Sequence, residues 1–124
     1  MWGRAGLIAI AFIAFAQPAE ARIRNDVETR LRNHLSAAKK HYGARNWDKA
    51  VREWRFAYKL RAIPNIRFNI AQAERQAGHD DEAVAAYTAY LSDVPSTPYR
   101  GEIEAHLAML KRRSGGATTP SASP

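Results

Sequence analysis

One spacing constrains this chain more than any other feature. Asn46-Trp47-Asp48-Lys49-Ala50-Val51 overlays on His79-Asp80-Asp81-Glu82-Ala83-Val84 at a period of 33 residues, Trp54 falls on Tyr87, and Pro64 and Pro95 each close a unit. A period of that length belongs to stacked supersecondary units, each of which buries its apolar face on its neighbour. From Arg22 onward the apolar residues recur with helical period, with no strand-like alternation. The predicted fold class is therefore all-α: two helical hairpins and a closing helix, a short α-solenoid.

Five helices follow from the local signals. The first is predicted from Asn25, with Glu28 as a capping-box partner, and buries Val27, Leu31, Leu35, Ala38 and Tyr42. Asn46 can cap the second, with Trp47, Ala50, Val51, Trp54, Ala57 and Tyr58 as its stripe. The third opens on Pro64, a favoured first-turn proline, buries Ile66, Ile70, Ala73 and Ala77, and stops at Gly78. Asp80, Asp81 and Glu82 open the fourth, where carboxylates complement the helix dipole, and Pro95 ends it. Thr97-Pro98 is predicted to cap a fifth helix over 98–113 that buries Tyr99, Ile103, Leu107 and Leu110. The small, polar stretch 114–124 has nothing large and apolar to bury and is expected to be a disordered tail.

The N-terminus obeys a different logic. A short positive start with Arg4 precedes twelve uncharged apolar residues at 5–16, and Gln17-Pro18-Ala19-Glu20-Ala21 places small residues before a cut after Ala21. That is the layout of a secretory signal peptide, so residues 1–21 are expected to be removed and 22–113 to form the domain in the periplasm or outside the cell. No cysteine occurs, which excludes a lipoprotein anchor, a disulfide framework and a thiol nucleophile. Charge is uneven: the chain carries a net charge of +7, with 14 basic and 5 acidic residues over 22–75.

The repeat resembles the tetratricopeptide family, whose helix-turn-helix unit has a small residue late in its first helix, an alanine early in its second, an aromatic four residues on and a terminal proline. In the first unit, about 31–64, those are Ala38, Ala50, Trp54 and Pro64; in the second, 65–97, they are Ala71, Ala83, Tyr87 and Pro95, with Gly78 between the helices. The family's first-helix aromatic falls on His34 and Arg67, and Arg45 stands where its glycine is usual. The match covers residues 31 to about 97, and 98–113 resembles the family's solvating end helix.

Catalytic machinery finds little footing. His34 and His41 share a helical face without a third ligand, Glu102 and Glu104 point apart, and no serine elbow or phosphate-binding glycine loop occurs. Aromatics interleaved with Arg52, Arg55, Lys59 and Arg61 sit at core spacing, which leaves those cations as a solvated face rather than a nucleic-acid surface. No enzyme activity, metal or cofactor is expected. The resemblance implies instead a concave groove lined by Arg32, Leu35, Lys39 and Tyr42 of unit one and Asn65, Phe68, Asn69, Gln72, Arg75 and Gln76 of unit two. Asn69 falls on a position used by family members that clamp a peptide carboxylate, whereas Leu35, Lys39 and Gly101 depart from that set. The expected partner is another protein or peptide of the envelope, bound by an extended or acidic segment; nucleic acid is not expected, and any membrane contact should be peripheral. The alternative reading docks the cationic half on an anionic envelope polymer or lipid surface.

Overall fold

The structure, a computed structural model, describes residues 18–116; the apolar run at 5–16 and the last eight residues lie outside them. Five helices follow one another, α1 (Ala19–Gly43), α2 (Trp47–Leu60), α3 (Pro64–Ala77), α4 (Asp80–Asp93) and α5 (Arg100–Gly116), and no strand occurs among the described residues. Each packs mainly on its sequence neighbours, so the chain is a short helical-repeat solenoid.

The period is visible in the backbone itself. The residue preceding α2, Asn46, has φ −86° and ψ 72°, and its counterpart 33 positions on, His79, has φ −86° and ψ 74°. Both turns close by the same pair of bonds: Asn46 N–H to the His41 carbonyl (2.8 Å) and Arg45 N–H to Tyr42 (3.0 Å), then His79 N–H to Glu74 (2.9 Å) and Gly78 N–H to Arg75 (3.2 Å). This is the Schellman ending, which requires a left-handed residue at its turn. Gly78 supplies φ 79° without strain, whereas Arg45 holds φ 60° against its own Cβ.

Buried alanines set how closely the helices approach. Ala38 and Ala71, Ala50 and Ala83 are all fully buried at period-equivalent positions. One apolar cluster joins Leu31 and Ala38 to Ala50, Val51, Trp54 and Ala57 and to Ile66, Ile70 and Ala73 of α3. A second gathers Ala71, Ala83, Tyr87 and Tyr90 around Ile103 and Leu110 of α5. Helix α3 thus serves both cores from two faces, and α5 closes the second. Burying each large side chain contributes about 1.5–3 kcal/mol, so the loss of Ile103 and Leu110 would open that core to water. Ion pairs staple successive helices: Arg61 to Glu28, Arg55 to Glu74, Arg67 to Asp93 and Arg113 to Asp80.

Three boundaries differ from those the sequence predicts. α1 begins at Ala19 rather than Asn25, because Ala19-Glu20-Ala21-Arg22 is itself good helix sequence behind Pro18, whose carbonyl accepts the Ala21 and Arg22 amides. Glu28 is drawn to Arg61 and does not serve as a cap. α5 starts at Arg100, after Pro98: the Thr97 hydroxyl accepts the Tyr99 amide (3.2 Å) and pairs with the buried Tyr90 hydroxyl (2.9 Å), which holds 97–99 in a turn. At its other end α5 runs through Gly116, three residues into the stretch expected to be disordered. Asn46 precedes α2 as expected, yet its side chain makes no capping bond; the backbone turn does that work.

Candidate functional site

At 3.6 residues per turn, α3 presents two opposed faces. Asn65, Phe68, Gln72 and Gln76 fall on one, and Arg67, Ile70 and Glu74 on the other. The first faces the same way as the site residues of α1.

On that face the structure joins several of the residues singled out from sequence. The Tyr42 hydroxyl donates to Gln72 Oε1 (3.4 Å), bridging α1 and α3, while its ring packs against Trp47 and Trp54. Arg75 Nε donates to the Tyr87 hydroxyl (3.2 Å), and the Tyr87 ring stacks on His106 of α5. Burial pushes the Tyr87 hydroxyl above its ordinary pKa, and the Arg75 guanidinium pulls it back part of the way. Phe68 stacks on Tyr99 with ring centres 5.1 Å apart and leans on Tyr90. Leu35 packs on the first core cluster, and Asn69 is half-buried. Arg32, Lys39, Asn65 and Gln76 are exposed, and among the described residues none of them has a hydrogen-bonded or ionic side-chain partner. Tyr99 and His106 extend the face onto the fifth helix. Tyr99, predicted from its spacing to Ile103 to lie in the core, precedes α5 and is 46% exposed; that spacing mimics a helical stripe.

The opposite face carries the cations that their spacing predicts to be solvated surface. Two adjoining cavities of about 490 and 420 Å³ lie between α2 and α4, over α3. At the floor of the larger, the nearly buried Glu74 carboxylate accepts Arg55 Nη2 at 3.0 Å and pairs with His79 Nδ1 at 2.7 Å. The hydrogen bond to Glu74 raises the His79 pKa above its ordinary value; partial desolvation opposes the shift, and the charges of Glu74, Asp48 and Glu82 reinforce it. A buried carboxylate held by an arginine and a histidine is a structural anchor between α2, α3 and the following turn.

His34 pairs with Glu53 (2.6 Å) and stacks on Phe56, away from any metal arrangement with His41. Among the described residues no group of three or more His, Asp or Glu side chains could hold a metal ion, and no helix is long and apolar enough to cross a membrane. In the comparisons with known proteins, no family model, curated protein or solved structure matches the chain.

Proposed function

We propose that this chain is an exported, non-catalytic interaction module of tetratricopeptide type, and that its α1–α3–α5 face binds an extended or acidic segment of another envelope protein. The observation that carries the reading is the contrast on that face. Tyr42–Gln72 and Phe68–Tyr99 are fixed by contacts between successive elements, while Arg32, Lys39, Asn65 and Gln76 stand exposed around them with no hydrogen-bonded or ionic side-chain partner among the described residues. Fixed rings offer apolar area at low entropic cost, and uncommitted cations and amides can take carboxylates and backbone groups of a peptide by charge-assisted hydrogen bonds. A cut after Ala21 would remove only the first three residues of α1 and leave the Glu28–Arg61 staple intact.

The test is capture of envelope proteins by the chain carrying Lys39→Glu together with Arg75→Glu. Loss of the partner taken by the unmodified protein is the expected result; unchanged capture refutes the groove assignment. N-terminal sequencing of the same sample should begin at Arg22.

A second reading is favoured by one specific observation: Arg22, Arg24, Arg30, Arg32, Lys39 and Lys40 are all exposed along α1. A helix so rich in exposed cations can dock on an anionic polymer or lipid surface. Salt separates the two, because surface docking fades steeply above about 0.15 M, where screening falls to about 8 Å, and a specific peptide complex persists.

A further inference from the structure

The two cavities between α2 and α4 share Arg55, Lys59 and Glu82, which makes them one elongated groove rather than two pits. Its walls are chemically unlike. Arg52, Arg55 and Lys59 lie three and four residues apart, on one face of α2. Arg55 is committed to Glu74 at one nitrogen yet stays 59% exposed, and neither Arg52 nor Lys59 has a carboxylate partner among the described residues. The other wall is Ala85, Ala86 and Ala89 of α4, with Tyr58 and Ile70 beneath. Side chains that end at Cβ let a second backbone approach closely.

Three features choose the occupant. The groove is built of helices whose backbone donors and acceptors are spent within the helices, so it offers an extended strand nothing to pair with. An occupant must therefore satisfy its own backbone, which a helix does. The cations of α2 require carboxylates along the edge that faces them, and the alanine wall requires an apolar ridge beside that edge. We propose that the α2–α4 groove is a docking site for an acidic amphipathic helix of a partner protein, its carboxylates on Arg52, Arg55 and Lys59 and its apolar ridge on Ala85, Ala86 and Ala89. Asp48, which lines only the first cavity at the end where α2 begins, sets the direction: a basic residue of the incoming helix lies over it. This site is separate from the α1–α3–α5 face and stands or falls independently of it.

The experiment titrates isotope-labelled protein, followed by amide chemical shifts, with a synthetic helix of about 18 residues that carries a leucine ridge and a glutamate edge. The same helix with lysine at the glutamate positions is the control. Expected are shifts concentrated at 52–59 and 82–89, with the acidic helix bound at least about tenfold more tightly than the basic one. Lys59→Glu and Ala85→Glu, both at exposed positions, should each weaken binding about tenfold, and Lys39→Glu should leave it unchanged. The proposal is overturned by shifts on the Asn65–Gln76 face instead, by equal binding of the basic helix, or by no shift at about 1 mM peptide. Shifts at 52–59 and 82–89 that depend on protein concentration alone would make a second copy the occupant, and would overturn it too.

Discussion

The two hairpins share one backbone plan and differ in how they complete it. Turn for turn the φ/ψ values and hydrogen bonds repeat at 33 residues, and the four buried alanines repeat with them. The chemistry laid over that plan does not. In the second unit Arg75 donates to the Tyr87 hydroxyl; in the first the equivalent pair is Tyr42 and Trp54, which meet ring to ring, and the buried Trp54 Nε1 has no acceptor among the described residues. The second unit turns on Gly78, the first on a strained Arg45. The second also ends on a buried Tyr90–Thr97 hydroxyl pair where the first has Ala57. What is held constant is helix approach and turn geometry; the polar detail is negotiable.

The largest expected effect tests whether the two units are packed equally. Trp54→Ala and Tyr87→Ala each remove a buried aromatic and should each cost about 3–5 kcal/mol by denaturant unfolding. A cost below about 1 kcal/mol for Trp54→Ala would mean that the first unit is loosely formed. Next, Tyr90→Phe deletes a hydroxyl that only the second unit has and should cost about 1 kcal/mol. The turn comparison reverses sign: Arg45→Gly should stabilise by about 0.5–1 kcal/mol, and Gly78→Arg should destabilise by at least as much. Equal stability of Arg45→Gly and the parent protein would contradict the strain at Arg45.

The smallest effect concerns pH. His79 has a folded pKa raised by Glu74, so the stability it contributes is present in full below the unfolded value, about 6.5, and is lost as pH rises through the higher folded value. Melting temperature should fall over that window, and His79→Gln should flatten the fall. Asn46, the counterpart of His79 in the first unit, cannot titrate.

How much of this was legible in the sequence depends on what each residue competes with. The alanines, Gly78 and the prolines fix local geometry alone, so the hairpins, their turns and the helix order could be read directly. The start of α1 could not: Asn25 and Glu28 form a capping signature, but Arg61, 33 residues away, claims the glutamate. Thr97-Pro98 misled in the same way, since a buried tyrosine hydroxyl claims the threonine. Repeat mapping placed Tyr42 beside Gln72 on one face, and it missed Tyr99 and His106 because α5 departs from the repeat. At the position of Ala38 and Ala71, α5 carries Glu104, exposed and paired with Arg100, where a further helix would need a small apolar residue. The α2–α4 groove left no periodic signal, since alanines and exposed cations are ordinary helix-surface residues until two helices line them up.

The proposed function requires that partners meet the α1–α3–α5 face. A photocrosslinking side chain introduced singly at Lys39, at Gln76 and, on the outward side of α5, at Ala108 tests it in the native envelope fraction. One partner should be captured from both Lys39 and Gln76 and not from Ala108. Capture of the same partner from Ala108, with none from Lys39 or Gln76, would contradict it.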